Sequence, residues 1–294
     1  MKEDYCELIE IKQRIPGFGH FIGSWVYRGD INFVVDVGPA NSVSELIKAL
    51  WQMKIERVDY VLLTHIHIDH AGGLGQFLEH FPMARVVCHD KGIRHLVDPS
   101  KLWEGSRQVL GEIAEAFGPF RPVKEEMCIP HTQAAIEGLD VIETPGHAPH
   151  HLSFSYNENL FAGEAGGNYY SVQGMDYLRP ATPPRFYLKV FLETLDRLMA
   201  LKEQRICYAH FGDASDSTRM LKRFRAQILR WKEVVQKEIA GSSDHLLTRC
   251  VDRLLEEDPD LKAFELMDPD TQDRERFFMA NSVRGYVEFL QNEG

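Results

Sequence analysis

Thr64-His65-Ile66-His67-Ile68-Asp69-His70 packs three histidines and one aspartate into six residues, directly after the apolar run Val58–Leu63. Imidazole and carboxylate ligands at this density suit a borderline or hard divalent cation. Two histidines two apart at a strand end point their rings the same way, because side chains on an extended chain alternate with period two. Asp69 and His70 follow where the chain turns into Ala71-Gly72-Gly73, so they can face the same space from another side. This arrangement predicts two metals side by side and further ligands elsewhere in the chain.

Each of three distant places follows a strand-like run, where a sheet presents side chains at its edge. In Glu143-Thr144-Pro145-Gly146-His147, the Pro-Gly pair forces a turn that projects His147 outward. In Phe161-Ala162-Gly163-Glu164-Ala165-Gly166-Gly167, Glu164 is surrounded by small residues that leave room for a carboxylate to bridge two cations. In Cys207-Tyr208-Ala209-His210-Phe211-Gly212, His210 ends another apolar run. A lone histidine after a strand is a weak signal. These gain weight because the dense motif leaves coordination positions unfilled.

The background composition is that of a globular protein able to build a core without disulfides: 294 residues, 44% hydrophobic and 26% charged. A net charge of -11 repels phosphate backbones and argues against a nucleic-acid partner. Arg219, Lys222, Arg223, Arg225 and Arg230 cluster, but they alternate with Leu221, Phe224, Ile228 and Trp231. That is the pattern of the solvated face of an amphipathic helix. The five cysteines, Cys6, Cys88, Cys128, Cys207 and Cys250, form no C-x-x-C pair and read as reduced thiols. No apolar run approaches the ~20 residues that span a bilayer. The expectation is a cytoplasmic protein with no membrane partner.

Short strands recur up to Ser215: Cys6–Ile11, Ser24–Arg28, Ile31–Val37, Val58–Leu63, Arg85–Cys88, Leu139–Glu143, Leu152–Tyr156, Leu160–Ala162 and Ile206–Ala209. Helical periodicity marks Ser42–Met53, Gly75–Phe81, Lys101–Phe117 and Phe186–Lys202, the last introduced by Pro183 and Pro184. Beyond Ser215 the pattern is helical alone, over Ser217–Ala240, Leu246–Leu255 and Arg276–Leu290. This shift places a boundary between a mixed α/β domain, residues 1–215, and a helical C-terminal subdomain, residues 216–294.

The succession T-H-x-H-x-D-H, T-P-G-H, F-A-G-acid and A-H-F-G resembles the metallo-β-lactamase superfamily. It is most similar to the hydrolase branch that holds glyoxalase II-type thioesterases and acyl-homoserine-lactone lactonases. Val34-Val35-Asp36-Val37-Gly38-Pro39 resembles the family's second-strand motif, in which Asp36 is structural. The resemblance covers roughly residues 5–215. It implies a four-layer αβ/βα sandwich with metals at one edge, here carrying an all-helical C-terminal extension. It also implies that His65, His67 and His147 hold one metal, that Asp69, His70 and His210 hold the other, and that Glu164 bridges them. The family usually has aspartate at the Glu164 position. The longer side chain leaves open a changed bridge, or a mononuclear site without Glu164.

The expected activity is hydrolysis of a small ester, thioester or lactone by metal-activated water, with Asp69 orienting the nucleophile and relaying its proton. The expected cofactors are two divalent metal ions, zinc first, with iron or manganese as alternatives. A mononuclear iron persulfide-dioxygenase-like oxidoreductase and a tRNA-processing nuclease are the competing readings. A small-molecule substrate is the expected partner, and a homodimer through the helical tail is open. His151 is expected to support the ligands, and His150 to be exposed. Tyr169 and Tyr170 are candidates either to bond a substrate carbonyl or to pack in the core. Phe18, His20, Phe21 and Trp25 are candidates for an apolar flap or for hairpin core.

Overall fold

The computed structural model describes residues 4–182, 186–241 and 244–292, so Pro183 and Pro184 lie outside the described residues. The chain divides into two compact units. One comprises Met1–Glu143 with Leu152–Asn157, the other Thr144–His151 with Glu158–Gly294.

In the first unit, β1 (Tyr5–Glu10), β2 (Gly23–Arg28) and β3 (Asn32–Val35) pair antiparallel. Helix α1 (Val43–Gln52) then crosses to β4 (Tyr60–Leu62), which runs parallel to β3. Strand β4 is the buried centre of the apolar run Val58–Leu63; Val61, Leu62 and Leu63 are fully buried, as expected of a parallel strand covered on both faces. Helices α2 (Ile68–Ala71) and α3 (Leu74–His80) follow, and β5 (Arg85–Cys88) extends the parallel order. Helix α1 buries Val43, Leu46, Ile47 and Leu50. Ser42 precedes it, but its hydroxyl accepts from Gln13 Nε2 at 3.0 Å and makes no cap bond.

The next stretch departs from the sequence pattern. Helix α4 (Asp90–Val97) was not legible, because Gly92 weakens the helical signal; a β-carbon there would lie 3.1 Å from Ile66 Cγ2. The expected Lys101–Phe117 helix is two, α5 (Ser100–Leu110) and α6 (Glu112–Phe117), separated by Gly111 at φ 56°. Strand β6 (Cys128–Pro130) adds to β5 in parallel, completing the order β1-β2-β3-β4-β5-β6. Strands β7 (Asp140–Glu143) and β8 (Leu152–Tyr156) pair antiparallel. Phe18, Phe21 and Trp25 are buried, and Phe18 meets Phe21 and Phe117 edge-on, so these rings are core and not a flap. His20 alone of that group is exposed.

The second unit opens on Thr144–His151 and resumes with β9 (Asn159–Gly163). Strands β10 (Asn168–Val172) and β11 (Met175–Arg179) form a hairpin. Its two-residue loop, Gln173-Gly174, takes φ values of 50° and 85°, the type I′ geometry that matches strand twist. Helix α7 (Leu188–Met199) leads to β12 (Arg205–Tyr208), parallel to β9, and β13 (Asp213–Ala214) returns antiparallel.

From Ser217 the described residues are helical, in α8 (Ser217–Ile239), α9 (Leu246–Glu257), a 3-10 segment (Pro259–Leu266) and α10 (Pro269–Asn292). Helix α8 buries Leu221, Phe224, Ile228 and Trp231, as its periodicity predicts. Three of its arginines pair with carboxylates: Arg223 with Asp176 and Asp260, Arg225 with Asp196, and Arg230 with Asp258 and Asp260. Among the described residues no helix is long and apolar enough to cross a membrane.

Candidate metal centre

In the first unit the decisive motif leaves the end of β4. His65 and His67 lie on the extended segment before α2, while Asp69 and His70 lie within α2. His65 Nε2 and His67 Nδ1 are 2.9 Å apart, so the two rings converge as the period-two argument requires. The rings of His65 and His70 have centroids 4.1 Å apart. His70 Nε2 lies 3.6 Å from Asp69 Oδ2.

Asp36 explains this convergence. It ends β3 in a left-handed conformation, φ 59°, which aspartate tolerates better than most residues. Its carboxylate accepts from the Thr64 amide (2.8 Å), the Thr64 hydroxyl (2.7 Å) and His70 Nδ1 (2.8 Å). The backbone amides of Val37 and Gly38 donate to the His70 carbonyl. The structural role expected of Asp36 is thus specific. It fixes the start of the motif at Thr64 and its end at His70, and it holds the proton of His70 on Nδ1.

In the second unit, Gly146 makes the turn that projects His147. Its φ is 147°, and an added β-carbon would lie 2.6 Å from Phe191 Cδ2. The Thr194 hydroxyl holds the turn by donating to the Pro145 carbonyl at 2.6 Å. His147 Nδ1 donates to the Ala181 carbonyl at 2.7 Å, which turns Nε2 toward Glu164 Oε2 at 2.7 Å. Glu164 Oε1 lies 3.1 Å from His210 Nε2. Burial opposes ionisation of Glu164, but attraction to and hydrogen bonding with His147 and His210 outweigh it and hold the carboxyl well below its ordinary range.

His151 supports this group. Its Nδ1 meets the Thr144 hydroxyl at 2.8 Å, and its Nε2 accepts from the Glu164 amide at 3.1 Å. His151 therefore fixes the backbone of Glu164, in line with the supporting role expected of it. His150 is half-buried and not exposed as expected. Tyr169 donates to Asp176 at 2.8 Å, and the Tyr170 hydroxyl accepts from Arg274 at 2.8 Å, so both tyrosines pack within the second unit. The Ala181 carbonyl was not foreseen, and no sequence signal marks it, because a backbone acceptor is available from any residue. The Thr144 hydroxyl reaches His151 because β7 and β8 pair antiparallel and bring the two ends of the connecting loop together, a pairing that the T-P-G-H motif alone does not show.

The donor sets fit divalent metal. Within each unit, imidazole nitrogens face carboxylate oxygens or one another across short distances. The second nitrogens of His70 and His147 are bound to a carboxylate and a carbonyl, the arrangement that orients metal-ligating histidines.

Residues 20–210 match the family model described as metallo-β-lactamase superfamily. A metallo-β-lactamase fold-containing protein of Sulfurisphaera tokodaii is 26% identical over 232 residues, 76% of this chain and 84% of that protein. A hydroxyacylglutathione hydrolase of Aeromonas salmonicida is 30% identical over 185 residues, 63% of this chain and 58% of that protein. This chain thus spans little more than half the length of that hydrolase. Among solved structures, an archaeal metallo-β-lactamase superfamily protein from Sulfolobus tokodaii superposes with a TM-score of 0.68 at 24% identity, covering 96% of this chain and 98% of that one. That likeness shows the fold. With the family model spanning well over half of its residues, the chain belongs to the metallo-β-lactamase superfamily.

Proposed function

We propose that the protein is a hydrolase with a dinuclear centre, acting on an ester, thioester or lactone of a small molecule. In this reading His65, His67 and His147 would hold one cation and Asp69, His70 and His210 the other, with the Glu164 carboxylate available to both. The order of the motifs along the chain supports this ligand set. The observation that carries it is the buried Glu164 carboxylate, whose two oxygens each face an imidazole nitrogen, at 2.7 and 3.1 Å. One residue longer by a methylene than the family's usual aspartate, Glu164 reaches both histidines from the end of β9.

Zinc ions at these ligands supply Lewis acidity and lower the pKa of water. The chain's own residues do the rest. Asp69, next to His70, orients the nucleophilic water and carries its proton. Asp36 and His151 keep the ligands in register. The name of the Aeromonas relative favours an acyl substrate over a phosphodiester. So does the net charge of -11, together with the carboxylate pairing of Arg223, Arg225 and Arg230. The cysteines resolved by the structure are free thiols, and four of the five are buried, which supports a reducing, cytoplasmic setting. Residues 1–215 form the catalytic portion and 216–294 a helical subdomain in this reading.

Purified protein reconstituted with zinc is assayed against an aryl ester, an acyl thioester and a lactone, with metal counted on the same sample. Turnover on one of these classes, at two zinc per chain, is expected. His67→Ala and Asp69→Ala should each lower kcat/KM at least 100-fold with an unchanged melting profile. Oxygen consumption with a persulfide substrate at one iron per chain, and no hydrolysis, would replace this reading with the oxygenase alternative.

A further inference from the structure

A second histidine–carboxylate cluster stands apart from all seven ligands proposed above and lies wholly within the first unit. It begins with topology. Strands β5 and β6 are parallel neighbours in a register that pairs Cys88 with Pro130. The next residue on each strand is a histidine, His89 and His131. Parallel pairing sets them side by side at the sheet edge, with ring centroids 4.3 Å apart and planes 30° apart. Both are buried, 5% and 8% exposed.

Each imidazole has its own carboxylate. His89 Nδ1 lies 2.7 Å from Asp90 Oδ1, and His131 Nε2 lies 3.0 Å from Glu143 Oε1. Glu143 is the last residue of β7, so three strand ends meet here. The hydrogen bonding is crowded with acceptors. The Lys91 amide alone is within reach of both His89 Nδ1 (3.2 Å) and Asp90 Oδ1 (2.6 Å), and His131 Nδ1 accepts from the Asp90 amide at 3.2 Å. Burial and the neighbouring His131 hold the His89 pKa below its ordinary value, which keeps it in the neutral form that binds metal. The donor atoms of His89, Asp90 and His131 all lie within 4.8 Å of one another. Ligands on a tetrahedral zinc ion stand roughly 3.4 Å apart, given bonds of about 2.0–2.1 Å, so closure needs only small side-chain rotations. Both carboxylate side chains are about half exposed, which lets them swing in and gives the ion a path from solvent.

We infer that His89, Asp90 and His131, with Glu143 as fourth ligand or as the partner orienting His131, form an additional binding site for a borderline divalent cation of the zinc type. Two nitrogen and two carboxylate donors suit zinc and its transition-metal neighbours better than magnesium or calcium, which prefer all-oxygen shells.

The test uses the full chain, stripped of metal and titrated with zinc alone. In a His65→Ala/His67→Ala background, which weakens the proposed catalytic set, the protein is expected to retain a zinc that is lost when His131→Gln is added. Asp90→Asn/Glu143→Gln alters half-exposed side chains and keeps the test decisive should a substitution of buried His131 fail to fold; it should weaken that zinc at least tenfold. Anomalous scattering at the zinc edge from crystals of the unsubstituted protein should show a peak between His89 and His131. Zinc uptake unaffected by both sets of substitutions, or an anomalous map with no peak there, overturns the inference. Because the peak is read separately from the His65-x-His67 motif, its absence would leave the hydrolase reading standing, and failure of that reading would leave this site standing.

Discussion

Asp36 accepts three hydrogen bonds while holding a left-handed backbone, and it touches both ends of the histidine motif. Asp36→Ala leaves the Thr64 amide and hydroxyl without their acceptor in a buried place. The expected cost is about 3 kcal/mol, read as a shift in the urea midpoint at unchanged slope. A shift below a quarter of that would mean the motif holds its shape without Asp36. His151 acts on Glu164 through the backbone. His151→Leu keeps a side chain of similar volume and removes both hydrogen bonds, so zinc affinity should fall about 10–100-fold while the circular dichroism spectrum stays the same. Competition with a chromophoric chelator measures this, and wild-type affinity in the variant would assign His151 to packing alone.

Among the elements, the Pro145–His147 turn is the most constrained. Gly146→Ala adds a β-carbon 2.6 Å from Phe191 Cδ2 at a φ of 147°, so either the turn or α7 must move. The expectation is a loss of about 2–4 kcal/mol together with reduced zinc occupancy, measured by thermal melts and metal analysis. Full occupancy in a folded variant would show that His147 does not depend on the turn. The elements legible in the sequence were those whose signal is local. Strand β4 announced itself by the apolar residues Tyr60–Leu63, and α8 by Leu221, Phe224, Ile228 and Trp231 at helical spacing. Others depend on partners far away. The last helix, expected over Arg276–Leu290, begins at Pro269, and its first two turns contain Arg274 and Glu275, which are buried against Tyr170, Tyr177 and Arg179 about a hundred residues earlier. The β10–β11 hairpin was hidden because its I′ turn uses Gln173 where asparagine or glycine is the usual marker. His89 and His131 escaped notice for the same reason: each is one histidine after one short strand, and only the parallel register joins them.

For the whole molecule, the buried Arg179–Glu275–Arg274 cluster is expected to contribute to acid sensitivity. Burial alone would raise the Glu275 pKa, but Arg179 and Arg274 lower it to about 2. A carboxyl depressed in the folded state contributes stability that is complete above its unfolded pKa, near 4.5, and is lost as pH falls through about 2. The second unit is therefore expected to weaken progressively between those limits. Glu275→Gln should lower stability at pH 7 by about 3–5 kcal/mol, because two arginines lose their buried counter-ion. The variant should also lose less than the wild type on acidification. Denaturation curves at pH 7 and pH 3 decide this, and parallel losses in both proteins would assign the acid sensitivity to other carboxylates.

The interleaving of the two units along the chain also bears on how the protein is made. The first unit is completed by β8, within Leu152–Asn157, after Thr144–His151 has already been given to the second. On the ribosome the first unit therefore cannot close until residue 157 has emerged. By then the His147 turn is already part of the nascent chain, while Glu164 and His210, the groups that flank one another beside it, are still to be synthesised. At about 5–20 residues per second, that turn waits for several seconds without its partners. During this interval His147 is open to chaperones and stray cations before the side chains that face it exist.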